Sequence, residues 1–267
     1  TSGSTSGSAR SAPGSSASTT AAGTELAAPA ASRPAQSVDG REIAPGFASI
    51  GVVAFTTTRE VGSFGLHGTE PVAEVFARWG ALRESLGGAR LASASQVHGA
   101  TVVRHVPGWS GWLRADAADG HLAPLPGTAM AVTIADCVPV FIGHRSGATA
   151  LLHSGWRGTA ARIVAEAVTM LAAENVPANE LVLHCGPAIC GRCFEVSPDV
   201  YAALTGRSTD RPTTVDLRAL IADHARSMGV REITVSERCT RCDNDRFFSH
   251  RAGDAGRQLG VMLAEPR

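Results

Sequence analysis

Three apolar runs in close succession constrain the fold of this chain more than any other feature. Residues 129–135, 138–142 and 148–153 each have the character of a largely buried strand. No helix-length segment separates them, whereas a doubly wound sheet alternates its strands with crossover helices. The sequence therefore predicts an α/β chain of the mixed α+β kind, with mixed or antiparallel sheets covered by helices.

The rest of the chain divides into a tail and one domain. Residues 1–45 are mostly Ser, Thr, Ala, Gly and Pro with almost no large apolar side chain, which predicts a disordered tail. Residues 46–267 have the length of a single domain. Within it, spacing and capping patterns predict strands at 49–55, 101–106, 181–185 and 232–236, helices at 72–86, 159–173 and 255–264, and a helix capped by Asp216 that runs to Met228.

Charge and composition exclude several classes of function. The chain has 24 acidic side chains and 24 basic ones, all arginine, so it lacks the basic excess of proteins that bind nucleic acids or membrane surfaces. The absence of lysine rules out a Schiff-base or P-loop lysine. No apolar run reaches the roughly 18 residues of a membrane span. The six cysteines are expected to be reduced, and without a secretory signal we expect a cytoplasmic location.

Reactive residues concentrate in three segments, each at the end of a strand-like run. These segments are Ser95-Gln96-Val97-His98-Gly99, Ala135-Asp136-Cys137-Val138-Pro139 and His153-Ser154-Gly155-Trp156-Arg157-Gly158-Thr159. The thiolate of Cys137 and the imidazoles of His98 and His153 suit a borderline-soft ion such as Zn²⁺ and leave a fourth position open for water or substrate. A second interpretation needs no metal and makes Cys137 a nucleophile with His153 as its base.

The third segment also has the composition of an anion site. Gly155 and Gly158 flank a turn that opens onto a predicted helix, whose first amides and dipole favour an anion. Arg157 in that turn can clamp phosphate or carboxylate through two hydrogen bonds. The alternative is a tight strand-to-helix turn with an arginine that faces solvent.

Two cysteine pairs occur farther along the chain, each with two residues between its members. Cys190 and Cys193 lie in a turn-rich segment, and Cys239 and Cys242 form the second pair. Together the four thiols could build a zinc site, although the pattern on its own favours cysteines that only pack.

The motifs QVHG, ADCVPV, HSGWRGT, GPAICGRCFEV and CTRCDNDRFFSHR, in this order, resemble those of the YfiH-like laccase-domain family over about residues 48–264. That family was named for polyphenol oxidation, and its members are regarded as purine nucleoside phosphorylases with adenosine deaminase activity. The resemblance implies a layered fold related to bacterial toxin deamidases. It also implies a zinc ion held by His98, Cys137 and His153, and a purine nucleoside and phosphate as substrates.

On this resemblance, further residues acquire candidate roles beside the metal and the catalytic Cys137. Candidates for contacting phosphate or the nucleoside are Arg59, Arg157, Gly158, Thr159 and Arg251. Asp136 either protonates the departing purine or orients a metal ligand. For deamination, zinc activates a water molecule that attacks purine C6.

The chain departs from the family pattern at positions that concern substrate choice. The loop after Arg59 is several residues shorter, Arg78-Trp79 replaces an Asn-Arg pair, and His250-Arg251-Ala252 replaces Tyr-Arg-Arg. Three other functions stay open on the sequence: polyphenol oxidation with Cu²⁺, hydrolysis of an amide in peptidoglycan precursors by Cys137, and a non-enzymatic binding module stabilised by zinc.

Overall fold

The structure, a computed structural model, describes residues 40–68 and 70–266. The predicted tail therefore lies outside the described residues as far as position 39. Within residues 40–45, Arg41–Ile43 form strand β1, which pairs antiparallel with β2 (Val52–Thr57). The first strand of the folded part thus comes before the predicted boundary at residue 46.

Strands outnumber helices in the described residues. The remaining strands are β3 (Arg90–Ala94), β4 (Val102–Arg104), β5 (Trp112–Ala115), β6 (Gly120–Ala123), β7 (Thr128–Ile134), β8 (Val138–Gly143), β9 (Thr149–Ser154), β10 (Val182–Cys185), β11 (Glu195–Val196), β12 (Thr213–Thr214), β13 (Glu232–Val235) and β14 (Gln258–Ala264). The α-helices are α1 (Val72–Ser85), α2 (Trp156–Ala160), α3 (Ile163–Ala173), α4 (Pro198–Thr205) and α5 (Leu217–Ser227). Across the described part of the chain, every helix falls short of the length and apolarity that a bilayer crossing requires.

Two six-stranded sheets form the centre of the described structure. The first has the order β1-β2-β14-β7-β3-β5, and the second has the order β13-β10-β8-β9-β6-β4. Both mix strand directions: β3 runs parallel to β5 and β7, and β4 runs parallel to β6, whereas β8 and β9 form an antiparallel hairpin. The predicted mixed α+β architecture is confirmed.

Three apolar clusters fill the spaces between four layers. α1 covers the outer face of the first sheet through Trp79, and α3 covers the outer face of the second through Leu171. Met130 of the first sheet and Phe141 of the second meet in the cluster between the sheets. Phe141 and its neighbour Ile142 belong to different clusters, because successive side chains of a strand point to opposite faces.

The predicted C-terminal helix at 255–264 is wrong. Residues Gln258–Ala264 instead form β14, which lies between β2 and β7 and is buried along its whole length. Leu259 and Val261 pack toward α1, whereas Met262 packs between the sheets. A strand that is apolar on both faces has no alternation, so its periodicity does not distinguish it from a buried helix.

The predicted helix at 159–173 is interrupted. α2 ends at Ala160 and α3 begins at Ile163. Between them lies Arg162, the N-cap residue of α3, whose φ of 59° is in the left-handed region. The break lets the five-residue α2 pack directly after β9, while α3 lies along the second sheet. The residues of the HSGWRG motif are thereby held at the end of a sheet strand.

Phe141→Ala should lower the free energy of unfolding by about 3–5 kcal/mol, because its fully buried ring packs between the sheets beside Phe47. Phe76→Ala is the matched control, since the Phe76 side chain is 49% exposed on α1 and its loss should cost about 1 kcal/mol or less. Urea denaturation measures both values. Equal losses for the two variants would contradict the layered packing.

Candidate metal centre and adjoining cavity

The second sheet itself places Cys137 beside His153. Cys137 lies in the turn between β7 and β8, and β8 pairs antiparallel with β9 so that Pro139 is opposite His153. His98 joins them from the loop between β3 and β4. One donor atom from each of the three side chains lies within 4.8 Å of the others, so the structure brings the predicted metal ligands together.

A buried carboxylate that the sequence analysis did not identify organises two of these ligands. Asp119 is fully buried and accepts hydrogen bonds from the backbone amides of Val97 (3.2 Å), His98 (2.9 Å) and Gly99 (2.7 Å). These bonds hold the His98 loop although His98 has a φ of 60°. Burial raises the pKa of Asp119, but hydrogen bonds from His153 and the amides outweigh it and hold the pKa below its ordinary value.

Asp119 also fixes the imidazole of His153. Nδ1 of His153 lies 2.8 Å from Oδ1 of Asp119, so Nδ1 donates its proton there and Nε2 is the nitrogen that would bind a metal, after release of the proton it carries in the metal-free imidazolium. Burial lowers the pKa of His153, but the nearby Cys137 thiolate and Asp119 raise it to about 9. A histidine that donates to a carboxylate in this way is typical of metal ligands.

The third ligand is a thiolate at neutral pH. Burial raises the pKa of Cys137, but the charge and hydrogen bonds of His153 and His98 lower it to about 6. A thiolate with two imidazoles is a donor set that Zn²⁺ binds in tetrahedral sites, with one position left for another ligand. The same contacts equally describe a nucleophilic thiolate paired with an imidazolium, so the geometry keeps both predicted roles of Cys137 open.

Two glycines of the third motif make close backbone packing possible around this centre. A Cβ atom at Gly155 would lie 2.9 Å from Sγ of Cys137 and 3.2 Å from Cδ2 of His98. A Cβ atom at Gly158 would lie 2.8 Å from the carbonyl oxygen of Gly99. Gly158 therefore serves the packing of α2 on the His98 loop and does not line the cavity described next.

The three ligands open into a cavity of about 520 Å³. Its wall is formed mainly by apolar and aromatic side chains together with guanidinium groups. It includes Leu66, His67, Trp79, Asp136, Trp156, Arg157, Ile189, Phe194, His250 and Arg251. A volume of this size accommodates a small organic molecule next to the metal ligands.

Two of the predicted anion-binding arginines lie in this wall. The guanidinium of Arg157 lies over the ring of Trp156, 4.3 Å from its centroid, and makes no hydrogen bond to the described residues. Arg251 donates to the carbonyl oxygens of Cys193 (3.3 Å) and Glu195 (3.1 Å). Arg157 therefore has donors available for an anion, whereas Arg251 already uses two of its donors within the protein.

The structure does not bring the other predicted phosphate contacts to the cavity. Arg59 forms an ion pair with Asp254 (2.6 Å) and lies over the ring of Phe248, outside the cavity wall. Thr159 is buried, and its hydroxyl bonds to Ser154 and to the carbonyl oxygen of Gly155. Both side chains are engaged in contacts within the protein, and neither belongs to the cavity wall.

Asp136 takes a positioning role. It has a φ of 81°, and its two carboxylate oxygens accept from the Thr240 hydroxyl (2.6 Å) and from the Arg251 amide (2.6 Å). Both carboxylate oxygens are occupied as acceptors, and they tie the segment between β13 and β14 to the residue that precedes Cys137. The geometry favours this role over protonation of a leaving group.

Comparison with known proteins gives consistent matches over most of the chain. Residues 56–265 match the family described as multi-copper polyphenol oxidoreductase laccase. Purine nucleoside phosphorylase Rv2149c of Mycobacterium tuberculosis (strain H37Rv) is 33% identical over 239 residues, which cover 82% of this chain and 95% of the relative. Adenosine deaminase RL5 of an unknown prokaryotic organism is 33% identical over 157 residues, 54% of this chain and 58% of the relative.

The solved structures give the same result for the fold. YlmD from Geobacillus stearothermophilus matches with a TM-score of 0.79 and 28% sequence identity, covering 87% of this chain and 98% of YlmD. The two-sheet architecture described above is therefore shared with a crystallised relative.

Asp119→Asn should weaken zinc binding at this centre by about 10- to 100-fold, because the amide cannot match the carboxylate as an acceptor for the His153 imidazole and the His98 loop. Competition with a chromophoric chelator measures the affinity, and circular dichroism verifies that the variant folds. Asp116→Asn, at an exposed position three residues earlier in the chain, is the control. Unchanged zinc affinity in folded Asp119→Asn would contradict the role assigned to Asp119.

In the metal-free protein, alkylation of Cys137 by iodoacetamide should rise with pH around a midpoint near 6, since its pKa is lowered to about 6 and only the thiolate reacts. His153→Gln should move that midpoint upward, because the stabilising imidazolium is lost. Peptide mass spectrometry measures the rate site by site. Cys185, whose pKa burial raises to about 12, is the internal control that stays unmodified.

Proposed function

Because the chain belongs to the multi-copper polyphenol oxidoreductase laccase family, we propose that it is a zinc-dependent purine nucleoside phosphorylase that also deaminates adenosine. The observation that carries the proposal is the His98–Cys137–His153 set, supported by Asp119, at the wall of a cavity that also contains Arg157. The names of the relatives supply the substrate class, and this chain's own residues supply the chemistry.

The donor set fits zinc better than copper chemistry on phenols. One thiolate and two neutral imidazoles match Zn²⁺, and Asp119 holds one imidazole in the required tautomer. Reduction of oxygen by multicopper enzymes needs several histidine-rich copper sites. Among the described residues, the other group of potential ligands contains only cysteines. When bound, zinc would act as a Lewis acid that activates water for attack on purine C6.

The residues of the cavity provide the contacts that phosphorolysis requires. In that reaction an oxygen of hydrogen phosphate bonds to the sugar C1′ while the bond from C1′ to the purine nitrogen breaks, and the proton that the phosphate loses ends on the purine. Arg157 would bind the phosphate through its unengaged donors. Arg251 would add positive charge from the segment between β13 and β14. Both act by placing the phosphate next to the sugar and by offsetting its charge.

The wall also contains the segments in which this chain differs from the family pattern. Leu66 and His67 of the shortened loop, Trp79 of α1 and His250 all line the cavity. We expect these side chains to set the preference among adenosine, inosine and methylthioadenosine. The metal ligands match the family motifs unchanged, so we expect them to have no influence on this preference.

A second candidate is hydrolysis of an amide by Cys137, as in peptidoglycan precursors. The arrangement Cys137–His153–Asp119, with a thiolate and a protonated imidazole, has the order of a cysteine hydrolase triad. In this mechanism His98 would serve only to stabilise the thiolate, whereas a metal centre uses it as a ligand. Turnover that survives complete chelation but is abolished by alkylation would favour the hydrolase.

The test is incubation of the full chain with adenosine and phosphate, followed by chromatography for adenine, ribose 1-phosphate and inosine. Cys137→Ala should abolish both activities, and Arg157→Gln should slow phosphorolysis by about 100-fold or more through loss of an anion contact. Arg207→Gln, at an exposed position, is the matched control and should keep full activity. Full phosphorolysis by Cys137→Ala, or no turnover of any purine nucleoside by the zinc-loaded protein, would overturn the proposal.

A further inference from the structure

The two cysteine pairs that the first centre does not use converge at a second place in the fold. Cys190 and Cys193 come from the loop between β10 and β11, and Cys239 and Cys242 come from the loop between β13 and β14. Their four sulfur atoms all lie within 4.8 Å of one another. The fold therefore brings together cysteines that are 49 positions apart in the sequence. Two cysteine pairs that served only to fill space would not need to meet at one point.

The spacing of the sulfurs matches a shared metal ion. Zn–S bonds of about 2.3 Å in a tetrahedron separate the sulfurs by about 3.8 Å. The Sγ atoms of Cys193 and Cys242 are 3.5 Å apart, and all four cysteines are free thiols. A disulfide joins two sulfurs at about 2.05 Å and leaves the other two thiols unexplained.

Two backbone amides of the cluster donate to one of its sulfur atoms. The amides of Cys190 and Cys242 point at Sγ of Cys239, at 3.3 Å and 3.4 Å. The amide of Cys193 bonds to the carbonyl oxygen of Cys190 at 2.9 Å, which closes the turn between the first two cysteines. Amides that donate to sulfur offset the negative charge that four thiolates would bring to an ion.

We propose that Cys190, Cys193, Cys239 and Cys242 bind a second zinc ion, separate from the His98–Cys137–His153 centre, and that this ion is structural. All four positions of a tetrahedron are taken by protein sulfurs, which leaves no place for water or substrate. The ion would act as a cross-link between the loop that follows β10 and the loop that follows β13.

That cross-link reaches the catalytic centre through Asp136. The amide of Ile189 bonds to the Asp136 carbonyl oxygen at 3.0 Å, and Thr240 and Arg251 bond to its carboxylate. Ile189 adjoins Cys190, and Thr240 adjoins Cys239 in the sequence. The second zinc would therefore hold both loops against the residue that precedes Cys137 and keep the cavity wall in place.

The test is the zinc content per chain of purified full-length protein, measured by inductively coupled plasma mass spectrometry on the wild type and three variants. The wild type should hold two zinc ions, and Cys242→Ala and Cys137→Ala should each hold one. Cys185→Ala is the matched control, since Cys185 belongs to neither group and should leave both ions. Retention of one zinc by Cys137→Ala distinguishes this inference from failure of the first centre.

Two results would overturn the proposal. One is a single zinc in the wild type that Cys137→Ala removes and Cys242→Ala does not. The other is a disulfide within the four cysteines, found by peptide mapping without reduction. Should Cys242→Ala not fold, cobalt bound to Cys137→Ala decides the question, because four thiolates give intense sulfur-to-cobalt charge-transfer absorption and its absence would count against the site.

Discussion

The buried carboxylate of Asp119 is the interaction on which the centre depends. It receives three backbone amides from the His98 loop and the imidazole of His153, so one charged group fixes two metal ligands, one in the loop between β3 and β4 and one on β9. A buried charge is costly unless it is fully hydrogen-bonded, and here four donors supply that compensation. The ligands are thus preorganised by the protein before any ion binds.

The sequence predicts this centre only in part, and the reason lies in the range of the interactions. Cys137 and His153 flank two short apolar runs, so a hairpin between these runs brings the two side chains together. Asp119 has no such signal, because its partners lie 20 to 34 residues away and its own segment is an unremarkable Ala-Asp-Gly stretch. Local patterns indicate which residues are reactive but do not reveal the carboxylate that orients them.

Contacts between residues far apart in the sequence also explain why the predictions failed for one arginine and for the last strand. Arg59 and Arg157 are both plausible phosphate contacts in the sequence, but Arg59 pairs with Asp254, which is 195 residues away. β14 reads as a helix because both of its faces are buried, and that burial results from strands and a helix contributed by the N-terminal half. Long-range packing therefore decides which arginine is available and which segment is a strand.

The close fit of Gly155 against Cys137 bears on which ions the centre admits. A methyl group at residue 155 would press on the Cys137 sulfur and on the His98 ring together, so glycine lets the backbone approach both ligands. Any larger residue there would push apart two donors that come from different loops. The spacing of the donors, and with it the size of the ion that they can share, is therefore set in part by a residue that contributes no donor.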